Sequence, residues 1–506
     1  MEVKNVVEMK GITMKFGDFT ANDNIDLDIR HGEVHALLGE NGAGKSTIMN
    51  CLYGFYTPTY GEIFIKGKKV EIKNPNVAIQ NGIGMVHQHF MLVNPFTVTE
   101  NIILGMEKTK DFLGTLDMKQ SEEDVAKLSA KYGFKVEPNA KIQDITVGTQ
   151  QKVEILKILF RGADILIFDE PTAVLTPQEI DELMKVMRNL TKEGKTIILI
   201  THKLKEIKAS SDRCTIIRRG KKIGTVEVKD CTEQDLASMM VGRAVSFEVE
   251  KKKKSFGKPI FEIKDLVVKD NRGIDAVEGL SLEVREGEIL GIAGIDGNGQ
   301  SELLEAITGL RKAESGSIKI AGKEILNQTP TKIMENRVFN IPEDRQKRGL
   351  VTKFPINENM ILGEHNKKPF TKGVLLDRPV ISDYTNKLME KFDVRPLDEF
   401  KLAGDLSGGN QQKVILAREI NKNPVLLLAA QPTRGLDVGA IEFIHKSIVE
   451  QRDSGKTVLL ISFELDEVMN LSDRIAVIYE GQITAVVDAD KTNENQLGLL
   501  MAGGSL

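Results

Sequence analysis

Several features that would place a protein in a particular class are scarce or missing in this chain. Its three cysteines, Cys51, Cys214 and Cys231, form no CxxC pair, so they provide neither a disulfide framework nor an iron–sulfur set. No apolar run approaches the ~18 residues of a membrane span. The first residues also lack the basic-then-apolar pattern of a secretory signal. If the protein works at a membrane, we expect other chains to hold it there.

An excess of charge of one sign is missing as well. The 69 lysines and arginines are balanced by 73 acidic residues, which gives a net charge of -4. Proteins that bind nucleic acid usually show a basic footprint, so no nucleic-acid partner is expected. The length of 506 residues, with 41% hydrophobic and 28% charged residues, is ordinary for a soluble protein of several domains.

The chain does contain the same set of motifs twice. Residues 39–46 match the phosphate-loop pattern GxxxxGK[ST], and residues 294–301 repeat it 255 positions later. Later motifs, such as Asp169 and its counterpart Ala430, are 261 positions apart, so one net insertion of six residues separates the two registers. Repeats of about 250 residues are large enough to be domains. We therefore predict a first domain at residues 1–250 and a second domain at residues 259–506. Residues 251–258 are predicted to form a basic, solvated linker between them.

The defects in the two sets of motifs are complementary. The first half keeps Lys45 in its phosphate loop, whereas the second half has Gln300. The acidic pair at residues 169–170 has no acidic counterpart in the second half. In contrast, residues 407–409 form an intact Ser-Gly-Gly segment whose first-half counterpart, residues 146–148, is eroded. This pattern favours one working ATP site and one retired site, each assembled from both halves.

The order of apolar stretches predicts an α/β fold. Short apolar strands at residues 34–38, 165–168 and 196–201 are typical of a parallel sheet buried on both faces. They alternate with helical stretches, one of which runs over residues 177–190. Alternation of this kind around a phosphate loop implies a parallel-sheet core. Residues 93–144 break the rhythm and are predicted to form a mostly helical insertion.

The intact loop has the chemistry of phosphate binding. A glycine-rich turn between a strand and a helix lets backbone N–H groups converge on phosphate oxygens, and the helix N-terminus adds its positive dipole end. Lys45 can then reach the β- and γ-phosphates, and Ser46 can offer its hydroxyl to Mg²⁺. We expect ATP to contact the loop and the start of the following helix: Gly39, Glu40, Asn41, Gly42, Ala43, Gly44, Lys45, Ser46 and Thr47.

Asp169 and Glu170 stand at the end of a predicted buried strand. Asp169 is placed to hold the metal ion, directly or through water. Glu170, one residue further on, is placed to polarise the attacking water, and a positioned base contributes roughly 10²–10⁴-fold to a rate. The alternative is a pair of solvated carboxylates that cap a strand.

Histidines add two further hypotheses. His87 and His89 flank Gln88 with a spacing that suggests a metal site, but no third ligand accompanies them, so the evidence for a metal is weak. A lone histidine such as His202 is more often structural. Its position directly after the strand at residues 196–201 favours contact with the γ-phosphate instead.

The order of phosphate loop, Gln88, signature segment, acidic pair and His202 resembles the ATP-binding cassette ATPases, and it occurs twice along essentially the whole chain. The resemblance implies two tandem cassettes, each a parallel-sheet phosphate-loop core with a small β subdomain and an inserted helical subdomain. It also implies ATP and Mg²⁺ as cofactors. In that family two cassettes pair head to tail, so each ATP lies between the phosphate loop of one and the signature of the other.

By that resemblance the working site draws on both halves. Phe16 stands where the family stacks an aromatic ring on adenine, whereas its counterpart, Asn271, is not aromatic. The first half lacks the aspartate that the second half keeps as Asp437. The catalytic set implied is Glu170, His202 and Gln88; the metal ligands are Ser46, Gln88 and Asp169; and the residues supplied from across the interface are Ser407, Gly408, Gly409 and Asp437.

A fused pair of cassettes with one working site resembles the ATPase subunit of bacterial importers for ribose-like sugars and nucleosides. Residues 84–93 and 429–440 look like the nucleoside branch, whose importers use a surface lipoprotein. The resemblance implies a peripheral protein on the cytoplasmic face of the membrane, two transmembrane permease subunits, and a substrate-binding lipoprotein that acts through them. Docking to the permeases is expected at residues 93–144 and 358–405. The cargo itself rests on analogy, because it never touches this chain.

Two alternatives belong to other classes. A soluble tandem-cassette ATPase of the ribosome would keep both sites intact and carry a long charged helical linker, neither of which is present here. A nucleotide-gated scaffold that barely hydrolyses ATP would not need Glu170 and His202.

Overall fold

The chain folds into two compact units, Met1–Val245 and Ser246–Leu506. They are seen in a computed structural model that describes residues 5–87, 90–110, 114–172, 177–244, 249–252, 255–295 and 297–504. Both units are built from a mostly parallel sheet and an antiparallel sheet with helices packed against them, as the α/β prediction requires.

The described residues of the first unit form ten strands and eight helices. The strands are β1 Asn5–Phe16, β2 Phe19–Arg30, β3 Val34–Leu38, β4 Tyr60–Ile65, β5 Lys68–Lys69, β6 Ile83–Val86, β7 Ile165–Asp169, β8 Thr196–Ile200, β9 Arg213–Arg218 and β10 Lys221–Glu227. The helices are α1 Lys45–Tyr53, α2 Pro75–Gln80, α3 Val98–Ile103, α4 Met118–Lys131, α5 Val147–Phe160, α6 Pro177–Lys192, α7 Leu204–Ser210 and α8 Glu233–Val241.

The central sheet of the first unit has the strand order β10-β9-β3-β8-β7-β6, parallel except for β10. Strand β7 shows why its apolar run is continuous. Ile165 and Ile167 enter the core on one face, Leu166 and Phe168 enter the core on the other, and all four are fully buried. A smaller antiparallel sheet, β2-β1-β4-β5, covers one of these cores. The three strands predicted at residues 34–38, 165–168 and 196–201 are confirmed as β3, β7 and β8.

The predicted helical insertion at residues 93–144 contains α3, α4 and a 3₁₀ turn, Ile142–Asp144, among its described residues. Helix α3 begins in a capping box, in which Thr97 accepts from the Glu100 amide and Glu100 accepts from the Thr97 amide. Asn101 binds both the amide and the carbonyl of Val93, at 2.7 and 3.1 Å. The start of the insertion is therefore tied to its first helix.

The second unit repeats this design. Its described strands are β11 Pro259–Lys269, β12 Asp275–Arg285, β13 Ile289–Ala293, β14 Ser315–Ile320, β15 Lys323–Glu324, β16 Val338–Ile341, β17 Thr371–Lys372, β18 Leu375–Leu376, β19 Leu426–Ala430, β20 Thr457–Ile461, β21 Arg474–Tyr479 and β22 Gln482–Asp488. Its helices are α9 Gln300–Ile307, α10 Pro330–Glu335, α11 Ile356–Met360, α12 Arg378–Lys391, α13 Gly408–Asn421, α14 Val438–Asp453, α15 Leu465–Leu471 and α16 Glu494–Met501. The sheet order β16-β19-β20-β13-β21-β22 matches that of the first unit strand for strand.

Most described residues of the basic stretch at 251–258 are exposed, but Lys251 makes a contact that its sequence pattern does not indicate. Lys251 is half-buried, and its Nζ donates to the carbonyl oxygen of Ser472 at 2.6 Å. The carbonyl oxygen of Lys252 accepts from Arg452 at 2.6 Å. Burial lowers the pKa of Lys251. Within the described ranges, no helix is both long and apolar enough to cross a bilayer.

Candidate nucleotide site

Strand β3 delivers the phosphate loop to the carboxyl edge of the central sheet. A Cβ at Gly39 would collide with the carbonyl oxygen of Ile217, and a Cβ at Gly44 would collide with the Asn22 amide. Gly44 has a φ of 101° and accepts a hydrogen bond from Asn22 at 3.0 Å. Because only glycine fits these two positions, the loop turns tightly and α1 begins directly at Lys45.

Lys45 lies inside this loop. Its side chain is buried, and its Nζ donates to the carbonyl oxygens of Gly39 at 2.7 Å and Glu40 at 3.0 Å. The ammonium group is therefore held within the turn of the phosphate loop.

Ser46 and Asp169 come together from α1 and the end of β7. The Ser46 hydroxyl donates to Asp169 Oδ1 at 3.4 Å. Burial raises the pKa of Asp169 to about 6, and the neighbouring carboxylate of Glu170 adds to the rise. A bound divalent cation would relieve this penalty, because it favours the ionised carboxylate. Hydroxyl and carboxylate oxygens are also the ligands that Mg²⁺ prefers, so the two residues fit the predicted metal site.

Glu170 and His202 form a pair at the same edge. The His202 Nδ1 lies 3.0 Å from Glu170 Oε1. This hydrogen bond holds the pKa of Glu170 below its usual value, so the carboxylate is ionised and able to accept a proton. The Glu170 backbone has a φ of 46°, and its amide donates to the Ile200 carbonyl of β8 at 2.9 Å. The chain therefore leaves β7 in a left-handed turn at Glu170.

Glu206 is a residue that the sequence interpretation missed. It is buried and accepts hydrogen bonds from the hydroxyls of Thr172 and Thr201, the latter at 2.9 Å. It thus ties the chain after β7 to the chain after β8, and so fixes the two segments that carry the candidate base and histidine. The repeat could have revealed it, because Thr172 and Glu206 recur 261 positions later as Thr433 and Glu467. In the second unit Glu467 accepts from Thr433 at 2.7 Å.

The structure describes the predicted adenine-stacking residue, Phe16, but only part of the segment at residues 87–89. Phe16, at the end of β1, is 44% exposed and meets Tyr56 edge to face, with ring centroids 5.3 Å apart. Its ring is therefore open for stacking on a base. Gln88 and His89 lie outside the described residues. His87 packs beside the rings of Tyr53 and Phe55, and burial lowers its pKa.

The second unit keeps the backbone of this site without its charged groups. Gln300 is buried, and its Nε2 donates to the Ile295 carbonyl at 3.1 Å, the counterpart of one Lys45 contact. Gln431 repeats the left-handed turn of Glu170, with a φ of 46° and its amide bound to the Ile461 carbonyl at 2.7 Å. Ala430 stands in the place of Asp169. The second unit thus has no counterpart of the Lys45 ammonium group, the acidic pair at residues 169–170 or His202.

The intact signature of the second unit lies at the start of one helix, and Asp437 lies at the start of the next. Ser407 is the N-cap of α13, and Asp437 is the N-cap of α14, where it accepts from the Ala440 amide at 2.8 Å. Gly409 packs so closely on Ala440 that a Cβ there would lie 3.0 Å from the alanine methyl group. Small residues thus form the N-terminus of α13, and a helix N-terminus can bind an anion. In the first unit Thr146 caps α5 instead, and its hydroxyl lies 3.0 Å from that of Thr149.

Comparisons with known proteins show the family of the chain. The family described as ABC transporter matches residues 22–173 and 277–434. The chain is 58% identical to the nucleoside import ATP-binding protein NupA of Lactococcus lactis subsp. cremoris (strain MG1363), with 100% of both chains covered. It is also 58% identical to the guanosine import ATP-binding protein NupO of Bacillus subtilis (strain 168), over 99% of this chain and 98% of that one.

A more distant relative is the glucose import ATP-binding protein TsgD13 of Haloferax volcanii, which is 43% identical over 98% of this chain and 96% of its own. The family resemblance and the duplicated α/β fold predicted from the sequence are thus confirmed. The chain belongs to the ABC transporter family, as an ATP-binding, ATP-hydrolysing subunit made of two fused cassettes.

Proposed function

We propose that this subunit powers the uptake of nucleosides. The observation that carries the proposal is full-length identity of 58% to two import ATP-binding proteins named for nucleosides and guanosine, against 43% to one named for glucose. These relatives are all import proteins, which favours an importer over the ribosome-associated alternative. Because import ATP-binding subunits work with membrane permeases, permease partners follow from the family.

We propose that hydrolysis takes place at the phosphate loop of the first unit. Lys45 binds the β- and γ-phosphates, and Phe16 stacks on the adenine. Ser46 and Asp169, with Gln88, would hold Mg²⁺, which supplies positive charge to the phosphate oxygens when bound. Glu170 accepts the proton of the attacking water, and its ionised state at neutral pH supports that role. His202 orients Glu170 and reaches toward the γ-phosphate.

We also propose that the signature of the second unit completes this site in the head-to-tail arrangement that the family resemblance implies. Ser407 and the amides at Gly408 and Gly409 would bind the γ-phosphate, and Asp437 would approach the same site. Complementary erosion supports the assignment, because each half keeps only the parts that one shared site needs. The other site would pair the uncharged Gln300 loop with the eroded residues 146–149 and would not turn over.

We also propose that the partners are two permease subunits and an extracytoplasmic lipoprotein that acts through them. The chain would then lie peripherally on the cytoplasmic face of the membrane.

A groove in the first unit supports permease docking near residues 90–101. It is a cavity of about 260 Å³, lined by side chains that include Tyr53, His87, Met91 and Leu104. Hydrogen exchange at residues 90–101 should slow in the assembled transporter. Unchanged exchange would count against docking there.

The cargo is tested by uptake in cells that lack this subunit. Uptake of labelled guanosine and uridine should be lost and then restored by the wild-type gene, whereas ribose uptake should stay nearly intact. The Glu170→Gln variant is the matched control, since it should assemble without restoring uptake. The opposite pattern, with ribose uptake lost and nucleoside uptake kept, would assign the protein to the sugar importers.

A further inference from the structure

In the second unit, the turn after β16 lies against two segments that the proposed ATP site requires. Arg345 begins a π-helical turn, and its Nη1 donates to the carbonyl oxygen of Arg434 at 2.9 Å. The same guanidinium lies so close to Gly408 that a Cβ there would be 2.8 Å from Nη2. One side chain therefore contacts both the signature segment and the segment that leads to Asp437.

The turn that carries Arg345 is fixed at both ends. The Asp344 carboxylate accepts from the amides of Gln346 and Lys347, at 3.1 and 3.0 Å. At the other end, the carbonyl oxygen of Gly349 accepts from the buried Arg418 at 2.8 Å. Short π-helical turns of this kind are frequent at functional sites. The position of Arg345 is thus set by the fold.

A second link joins the same two regions. Arg434 forms an ion pair with Glu343 at 2.5 Å. Glu343 is the counterpart of Gln88, the residue expected to contact the metal ion in the first half. An exposed ion pair of this kind contributes little stability alone. Together with Arg345, however, it connects the chain after β16 twice to the segment before Asp437.

The sequence shows where these arginines occur. The Val93–Asn101 contact recurs as Val351–Asn359 at an offset of 258, so Arg345 lies in a stretch that is three residues longer than residues 88–93, which contain no arginine. The counterpart of Arg434 is Ala173, which lies outside the described residues. Both arginines are therefore absent from the half whose signature is eroded and present in the half whose signature is intact. A role at the signature explains this distribution, whereas a general structural role in every cassette does not.

The surroundings of Arg345 point away from a purely stabilising role. Its Nε is buried and has no hydrogen-bond partner among the described residues. Burial also lowers the pKa of the guanidinium. A buried donor without a partner costs folding free energy, so the position is better explained by activity than by stability.

We infer that Arg345 is a positioning residue of the working ATP site, whose guanidinium fixes the signature at residues 407–409 relative to Asp437. Both segments would then reach the γ-phosphate together when the site closes. The inference rests on the proposed function, because it assigns the signature of the second unit to the site of the first.

The test compares Arg345→Met and Arg345→Lys in the assembled transporter. Arg348→Met is the matched control, because Arg348 lies on the same turn but pairs with Glu305 at 2.5 Å. Arg345→Met should lower the kcat of ATP hydrolysis by about tenfold to a hundredfold, the range expected for a displaced catalytic segment. KM for ATP should change far less, because the phosphate loop of the first unit is untouched. The kcat of Arg345→Lys should lie between those of Arg345→Met and the wild type, and the kcat of Arg348→Met should match the wild type.

Wild-type kcat in Arg345→Met, or an equal loss in Arg348→Met, would overturn the inference. If Arg345→Met does not assemble, Arg345→Lys decides the question: lysine keeps the charge but not the two-pronged contact, so full kcat would again overturn it. Glu170→Gln is measured in parallel. If it is inactive while both Arg345 variants are normal, only the inference fails; if it hydrolyses ATP normally, the proposed catalytic site fails.

Discussion

Alanine substitutions of Lys45 and Gln300 test whether the two phosphate loops are equivalent. Both side chains are buried, with 5% and 3% of their surface exposed. Each donates to its own loop, Lys45 to the carbonyls of Gly39 and Glu40 and Gln300 to the carbonyl of Ile295. As parts of the fold, the two residues are close equivalents.

The two substitutions should therefore have similar effects on stability and very different effects on activity. Leaving a buried carbonyl such as that of Gly39 without its donor costs about 1–3 kcal/mol of folding free energy, and the partly buried contact of Gln300 costs no more than that. Only Lys45→Ala also removes a charge from the β- and γ-phosphates. Loss of one transition-state contact of that kind costs about 2.7–4 kcal/mol, or roughly 10²–10³ in turnover. Gln300 carries no charge, so Gln300→Ala has no such contact to lose.

Steady-state ATPase of the assembled transporter provides the assay, with thermal unfolding of each variant as the control for folding. Lys45→Ala should fall to about 1% of wild-type turnover or below, while Gln300→Ala stays near the wild type. Gln300→Lys should not add a second turnover, because Ala430 and Gln431 supply neither a metal ligand nor a base. Comparable losses in the two alanine variants would refute the one-site hypothesis.

Three other variants extend the same reasoning. Glu170→Gln should still bind labelled ATP but lose turnover by about 10²-fold or more, because it removes the base and leaves the phosphate loop intact. Ser407→Arg should reduce ATPase as severely as Lys45→Ala, since it fills the same proposed site from the second unit; an active Ser407→Arg transporter would contradict the shared site. Thr146→Ala should lower the stability of the first unit by about 1 kcal/mol through loss of a helix cap, with ATPase almost unchanged. Loss of turnover in Thr146→Ala would show that the eroded signature still works.

The sequence predicts the cassette core well because its signals are local. Residues 165–168 are apolar at every position and residues 34–38 at every position except the buried His35, a pattern typical of strands buried on both faces, and they form β7 and β3. Gly39 and Gly44 are explained in the same way, since the motif reflects close backbone packing at those positions. Predictions of this kind need no knowledge of distant contacts.

Contacts between distant segments are what the sequence does not reveal. A run of four lysines is typical of a solvated stretch, yet Lys251 binds the carbonyl oxygen of Ser472, which lies just after α15. The partially negative end of a helix attracts a lysine, but only the folded chain brings the two together. Arg345 is similar, because its importance depends on its closeness to Gly408 and Arg434, which no local pattern indicates.

The left-handed turn at Gln431 has a consequence for engineering. A non-glycine residue in that conformation costs roughly 1–2 kcal/mol, and the hydrogen bond to Ile461 enforces it in the second unit as the bond to Ile200 does at Glu170. In addition, the Gln431 Nε2 is buried without a hydrogen-bond partner among the described residues. Gln431→Gly should therefore raise the melting temperature of the second unit without lowering ATP turnover. In contrast, Glu170→Gly should abolish ATP turnover. Under the one-site proposal, the turn at Gln431 can be changed to increase stability, whereas the turn at Glu170 cannot.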